Sequence, residues 1–350
     1  MMAKNAYMII TDLHFGNIAA STRLDYRKEI EFVKCRLLEN AIKYKNDGYN
    51  VKTLLLGDVF HGSYRNVTDA LIDISYFTMW REKIGELYSV LGNHELTYYK
   101  ANPFYVLLSK MESERVQKIM NKVWTPLGLS NVFRVMDNLK DGEVVFYFNH
   151  YGTGIQVPDG SSEAIGLFHQ DIIDPLIIDE MRKKYNSEYY GASRELDRLQ
   201  VLSDYKHCFF GHIHTAYGVW QTGKTYLHYL ASLGRTNERE VNDSMLERNV
   251  PCVLIEDGKL LTIEDNFIIL PERKECISES NVMLNQQEYG LRKEVKNLRD
   301  YVPVDDNPVK DVQTLFKGDA CAERVLGELA DGRCSWLISL NSKLRGLGIE

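Results

Sequence analysis

No two of the six cysteines form a CxxC pair; they stand singly at 35, 208, 252, 276, 321 and 334. With no secretory context around them, that spacing excludes a framework of paired cysteines, and free thiols in a reducing cytoplasm are expected. Long apolar runs are also missing. No stretch approaches the roughly 18 uninterrupted apolar residues that a membrane span requires, so no membrane partner is expected. The opening MMAKNAYMIITD has one lysine and an apolar run cut off by Thr11-Asp12, too short for a signal-peptide core, and reads instead as a first strand. Internal repeats and low-complexity tracts are absent, and a mix of 44% hydrophobic and 26% charged residues excludes fibrous and disordered classes. The formal charge of −7 argues against a surface wholly devoted to nucleic acid, while leaving room for a local basic or metal-rich patch.

What is present is an alternation. Apolar runs of strand length recur at AYMII (6–10), VKTLLL (51–56), ELYSVL (86–91), EVVFYF (143–148), IGLF (165–168) and HCFF (207–210). Between the first two, Ile30, Val33, Leu37 and Ala41 repeat every three or four residues, the period of an amphipathic helix, and a second helix is expected over Val67 to Lys83. Later, KTYLHYLA reads as a strand and CVLIEDGKLLTI as a hairpin turning at Asp257-Gly258. Strands alternating with helices predict an α/β layered domain. After Leu270 the character changes to the polar PERKECISESN and then to helical patterning, which places a boundary near residue 270.

The chemistry stands at the strand ends. The first ends in TDLHFG, with Asp12 and His14 two residues apart and therefore on one side of an extended chain. The second ends in LLLGDVFHG, which exposes Asp58. The third ends in SVLGNHE, with Asn93 and His94; the fifth in GLFHQD, with His169; the sixth in GHIH, with His212 and His214. Singly, each is ordinary: a turn with a surface histidine, glycine-rich turn residues, a satisfied core histidine. Jointly, all follow apolar strands, and in α/β folds sites gather at the carboxyl ends of strands. Seven donors of carboxylate, amide and imidazole type, without thiolate, are too many for one tetrahedral zinc and suit two divalent ions, with Asp58 as the bridge. Such a pair clamps a phosphate and lowers the pKa of bound water, providing a hydroxide nucleophile at neutral pH.

In this order the motifs D-x-H, G-D, G-N-H-[DE], H and G-H-x-H resemble those of the calcineurin-like metallophosphoesterases, over roughly residues 6 to 240. The resemblance implies a four-layered sandwich of two mixed β-sheets flanked by helices, with a catalytic domain at 1–270 and a mostly helical C-terminal accessory segment at 271–350. It implies that Asp12, His14 and His214 bind one metal, that Asp58 bridges, and that Asn93, His169 and His212 bind the other. Mn²⁺ is the expected metal, with Fe²⁺, Zn²⁺ or Mg²⁺ as alternatives. His94 would bind neither and would assist the leaving oxygen as general acid. His150, in FYFNHYG, competes with His169 for the ligand position, and His169 is preferred because GLFHQD looks like the family's strand-then-histidine.

Within the family, GDVFHG is similar to the G-D-x-F-H of the SbcD-type double-strand-break repair nucleases, and the protein-phosphatase signature GDxVDRG is absent. YLASLGR resembles that group's Tyr-Pro-Gly-Ser-x-x-Arg segment, with Leu230 and Ala231 in place of proline and glycine. The resemblance implies a DNA nuclease in which His61 orients a strand over the metals and Arg65 contacts a phosphate. Arg182, Lys183, Lys184, Arg194 and Arg198 offer further charge, usually only a solvated face. Two dications would add positive charge where phosphate approaches, so the acidic total does not exclude DNA. Alternatives are a phosphatase or small-molecule phosphodiesterase of the same family, or a non-catalytic scaffold, against which the filled ligand positions argue. SbcD-type nucleases act with an ABC-type coiled-coil ATPase. Leu291, Val295 and Leu298, with Val325, Leu326 and Leu329, form apolar stripes that could meet such a partner or dock on the chain itself. A homodimer is a further expectation.

Overall fold

The computed structural model describes residues 4–16, 24–61, 67–97, 103–123, 131–160, 163–170, 172, 202–214, 217–235, 246–276 and 278–279. In chain order these form β1 (Lys4–Ile10), β2 (Leu24–Asp25), α1 (Arg27–Asn46), β3 (Asn50–Leu55), α2 (Val67–Lys83), β4 (Leu87–Ser89), α3 (Asn93–Thr97), α4 (Phe104–Leu107), β5 (Leu108–Met111), α5 (Glu114–Val123), β6 (Phe133–Val135), β7 (Asn138–Asp141) and β8 (Val144–Asn149). They continue with β9 (Glu163–Phe168), β10 (His207–Phe210), β11 (Gly218–Thr222), β12 (Thr225–Tyr229), β13 (Glu247–Asn249), β14 (Cys252–Glu256), β15 (Lys259–Glu264), β16 (Phe267–Ile269), α6 (Arg273–Cys276) and β17 (Ser278–Glu279).

Two large mixed sheets carry the architecture, as the α/β reading expects. The first has seven strands in the order β15-β14-β1-β3-β4-β6-β5; the second has six, β11-β12-β10-β9-β8-β7. Their centres are parallel: β1, β3 and β4 run side by side in one, and β12, β10, β9 and β8 in the other. Parallel strands are covered on both faces, and the alternation along β1 shows how. Tyr7 and Ile9 point into a core shared with Phe146, Ile165, Leu167 and Phe209 of the second sheet. Ala6, Met8 and Ile10 point the other way, onto Val33, Leu37 and Ala41 of α1 and Ile74, Phe77 and Trp80 of α2. Beyond the second sheet a further apolar cluster joins Phe168, Cys208 and Phe210 to Leu202 and Tyr205.

The expected strands and both expected helices are present, with ends shifted by up to a few residues. The β14–β15 hairpin turns at Asp257 and Gly258, both left-handed at φ 51° and 74°, as a two-residue hairpin turn of that hand requires. The structure adds β5, β6, β7, β11 and β13, which have no continuous apolar run, and β16, whose apolar run FII is short; β7 alternates exposed and half-buried residues along NLKD. Among the described residues no helix is long and apolar enough to cross a membrane.

Apart from 271–276 and 278–279, the expected accessory segment lies outside the described residues. What is described packs on α1. Arg235, fully buried, places Nη1 2.7 Å from Glu29 Oε2, donates its backbone N–H to Glu29 Oε1 at 2.7 Å, and donates from Nη2 to the Pro271 carbonyl at 2.8 Å. The Cys276 thiol lies 3.4 Å from the same Glu29 carboxylate, and β17 pairs with β2. Removing one partner of a buried ion pair strands the other charge without compensation. Glu29→Ala is therefore expected to lower the unfolding free energy by about 3–5 kcal/mol. Urea unfolding followed by circular dichroism checks this, and a loss below about 1 kcal/mol would show the pair to be dispensable.

Candidate metal centre

The strands that carry the site are neighbours with aligned carboxyl ends. Ile10 of β1 sits opposite Leu55 of β3, and Leu55 opposite Ser89 of β4; in the other sheet Phe168 of β9 sits opposite Phe210 of β10. Past the strand ends, the loops after β1 and β3 stay zipped together. The N–H groups of Asp12, His14 and Phe15 donate to the carbonyls of Gly57, Asp58 and Val59 at 3.3, 2.9 and 3.0 Å, and His61 N–H returns to the Phe15 carbonyl at 2.9 Å. This run sets Asp12, His14, Asp58 and His61 beside one another.

The run has conformational strain in it. Of the five non-glycine residues described with positive φ, four are Asp12 (45°), His14 (44°), Asp58 (48°) and His212 (73°). Side chains rarely adopt that region, which persists where surrounding structure enforces it and clusters at functional sites. Two glycines allow the close approach: a Cβ on Gly92 would collide with Asp58 Oδ1 and its backbone nitrogen, and one on Gly211 with Thr11 Oγ1 and Asp12 Oδ2.

The donor atoms fall into overlapping groups. Asp12, His14, Asp58 and His214 bring one atom each within 4.8 Å of one another, and Asp58, His169 and His212 do the same. Asn93 joins the second group, its Oδ1 3.0 Å from His169 Nε2. Asp58 Oδ2 lies 3.6 Å from His14 Nε2 and 3.3 Å from His169 Nε2, so one buried carboxylate faces both groups. Its other oxygen accepts the His94 N–H at 2.9 Å. Asp12 Oδ2 accepts from the His212 N–H at 2.8 Å and from the Thr11 hydroxyl, while its Oδ1 is buried without a hydrogen-bond partner, 3.5 Å from His214 Nε2 and 3.7 Å from His14 Nε2. A buried carboxylate oxygen left so among imidazoles is suited to a cation. His169 donates from Nδ1 to the Leu56 carbonyl at 2.6 Å, which turns Nε2 toward the centre.

The electrostatics follow from burial among opposite charges. Burial alone would raise Asp12 and Asp58, but the surrounding histidines hold both carboxyls well below the ordinary carboxylate range. Burial would conversely depress His169, but Asp58 raises it to about 9. Glu95 is pushed up to about 7 by burial and by the Asp58 charge, although its carboxylate accepts three backbone N–H groups, from Asp58, Val59 and Gly92, at 2.9, 2.9 and 2.8 Å.

His94 is the second residue of the short helix α3. Its Nδ1 donates to the His61 carbonyl at 3.0 Å and its Nε2 lies 3.8 Å from Asp58 Oδ2. His61 has Nδ1 3.3 Å from His14 Nδ1, and His14, His61 and His94 form a third group of close donor atoms. Burial first, then His14 and His94, depress the His61 imidazole to about 3. His150 belongs to none of the three groups: its ring is buried and Nδ1 accepts the Leu91 N–H at 3.0 Å. Arg65 lies outside the described residues, as do Arg182, Lys183, Lys184, Arg194 and Arg198. Sequence reasoning gives no role to Glu95, although it is the fourth letter of GNHE, nor to Thr11 and Tyr151, for which no motif exists.

Gly92→Ala must push its new methyl into the Asp58 carboxylate. The variant is expected to fold with native circular dichroism and to bind Mn²⁺ at least about tenfold more weakly by calorimetric titration, the order of loss seen when a ligand's supporting contacts are disturbed. Native Mn²⁺ affinity would show that the close approach is not needed.

The family profile for calcineurin-like phosphoesterases matches residues 7–216. No curated protein sequence matches the chain significantly. Among solved structures, a dimetal phosphatase from Danio rerio is similar at 10% identity and TM-score 0.41, covering 76% of this chain and 99% of that one. A 5′-nucleotidase precursor from Thermus thermophilus is similar at 13% identity and TM-score 0.37, covering 84% of this chain and 59% of that one. Vacuolar protein sorting 29 from Cryptosporidium parvum is similar at 13% identity and TM-score 0.32, covering 76% and 99%. With 7–216 of its 350 residues matched by the family profile, the chain belongs to the calcineurin-like phosphoesterases.

Proposed function

We propose that the protein is a binuclear metal-dependent phosphodiesterase and, within that class, a DNA nuclease of the SbcD type. One observation supports the binuclear reading above the others: the Asp58 carboxylate is common to two groups of donor atoms, with His14 on one side and His169 on the other. The donors fit such ions. They are carboxylate, amide and imidazole without thiolate, and Asp12 Oδ1 is a buried oxygen without a hydrogen-bond partner. Asp12, His14, Asp58 and His214 would hold one ion, and Asp58, Asn93, His169 and His212 the other, with Mn²⁺ the metal we propose. When bound, the ions supply Lewis acidity toward a phosphoryl oxygen and an activated water.

The chain's own residues then divide the remaining work. Asp58, buried and strained, keeps both groups in one place. His94 is oriented by its Nδ1–H bond to the His61 carbonyl, which leaves Nε2 as the atom that can hand a proton to a leaving oxygen at the rim. His61, fixed by its backbone bond to Phe15, brings an imidazole to the same rim, 4.7 Å ring to ring from His94. That placement supports the nuclease branch, because it gives the aromatic-histidine step of GDVFHG a position over the centre. An ABC-type ATPase partner belongs to the same proposal and would engage the region beyond residue 270.

The test is the purified chain with Mn²⁺ on labelled linear duplex DNA, single-stranded circles and bis-para-nitrophenyl phosphate. Hydrolysis of at least one DNA substrate and of the small diester is expected; action on monoesters alone would overturn the nuclease reading. Asp58→Asn is expected to bind fewer than two ions per chain by metal analysis and to lose turnover, and full activity there would contradict its shared role. His94→Ala should keep its metal and lose rate by roughly 10²–10⁴-fold, the range for a removed general acid. Metal loss in that variant would instead make His94 a ligand.

A further inference from the structure

The loop after β8, residues 150–154, carries no proposed metal ligand, yet it is braced against the centre on several sides. Both backbone groups of Leu91, just before Gly92 and Asn93, are committed to it: the Leu91 N–H donates to His150 Nδ1 at 3.0 Å, and the Leu91 carbonyl accepts the Tyr151 N–H at 2.9 Å. Gln170, the neighbour of His169, donates from Nε2 to the carbonyls of His150 and Thr153, each at 3.1 Å. The Thr153 hydroxyl donates to the His150 carbonyl at 2.8 Å and accepts from Arg115 Nη2 at 2.9 Å. Bracing of this density fixes the side chain between His150 and Gly152, as preorganised sites require.

That side chain is Tyr151. Its ring lies 5.3 Å from the His212 ring, tilted by 55°, and 6.3 Å from the His169 ring at 72°. It is half-buried. In the loop His150 Nδ1 and the Thr153 hydroxyl are hydrogen-bonded and His150 Nε2 is buried without a partner, whereas the Tyr151 hydroxyl has no hydrogen-bond partner among the described residues and is not one of the occluded polar atoms. A phosphodiester brings acceptor oxygens only, and the carboxylates of Asp12 and Asp58 repel them. A hydroxyl donor held beside the imidazoles suits such an oxygen, a use to which tyrosine is put in phosphate contacts.

We propose that Tyr151 is a substrate-contacting residue whose hydroxyl donates a hydrogen bond to a non-bridging phosphate oxygen on the His169–His212 side of the centre. The proposal rests on the phosphodiesterase reading above. The full-length chain, Tyr151→Phe and Tyr151→Ala are compared in three measurements: Mn²⁺ binding by calorimetry, kcat/KM on bis-para-nitrophenyl phosphate, and the affinity of the Mn²⁺-loaded protein for inorganic phosphate. Tyr151→Phe is expected to bind Mn²⁺ as the unaltered chain does, while kcat/KM and phosphate affinity each fall roughly 10- to 100-fold, the effect of one hydrogen bond to a charged group. Unchanged kcat/KM and phosphate affinity in Tyr151→Phe overturn the proposal. So does a loss of Mn²⁺ affinity in Tyr151→Phe, or in Tyr151→Ala with Tyr151→Phe fully active, since either makes the ring a packing support for His169 and His212. If the unaltered chain hydrolyses no diester, the phosphodiesterase reading fails separately, and the phosphate titration still decides the role of the hydroxyl.

Discussion

The centre depends on one constraint: the parallel pairing of the loops after β1 and β3 beyond the ends of their strands. Three backbone hydrogen bonds, from Asp12, His14 and Phe15 to Gly57, Asp58 and Val59, hold the two chains in register where most α/β loops diverge. Register there is what puts the Asp12 and Asp58 carboxylates and the His14 imidazole within 4.8 Å of one another. Holding it requires φ values near 45° at three side-chain-bearing residues, a cost that ordinary packing would remove. The second sheet closes on this platform from across the shared core, adding His169 just after β9 and His212 and His214 just after β10. The donor set is thus divided between two sheets whose relative position is fixed by the apolar layer of Tyr7, Ile9, Phe146, Ile165, Leu167 and Phe209.

Glu95 shows how the arrangement is maintained. A buried carboxylate accepting three backbone N–H groups locks the loop after β3 to the loop after β4, so that Asn93 and His94 arrive beside Asp58. Leaving those donors without a partner would cost about 1–3 kcal/mol each, which explains why a carboxylate is kept where burial and the Asp58 charge both oppose its ionisation. The bond from Thr11 to Asp12 and the one from the His169 ring to the Leu56 carbonyl serve in the same way, each orienting a side chain that carries a donor atom.

Much of this is legible in the amino-acid sequence, because the signals are local. An apolar strand followed within four residues by Asp, Asn or His is visible in TDLHFG, LLLGDVF, SVLGNHE, GLFHQD and GHIH, and periodicity locates α1 and α2. The remainder depends on contacts between distant segments. The short strands β5, β6, β7 and β13 owe their form to the neighbours they pair with and have no pattern of their own. In the sequence, the preference for His169 over His150 rests only on the flanking residues; in the fold His169 Nε2 faces Asp58, while His150 Nδ1 accepts from the Leu91 N–H. Tyr151 has no sequence signal, because its significance lies in ring contacts with residues 18 and 61 positions along the chain that only the folded sheets bring together.

In the binuclear reading proposed above, one carboxylate, Asp58, would serve two cations at once. Electron paramagnetic resonance of the protein titrated with Mn²⁺ tests it most directly, because two Mn²⁺ ions sharing a bridging carboxylate at about 3.5–4 Å couple magnetically. The isolated-ion six-line signal is expected to give way to a broad coupled spectrum as the second equivalent is added. A spectrum that remains that of isolated ions through saturation would contradict it.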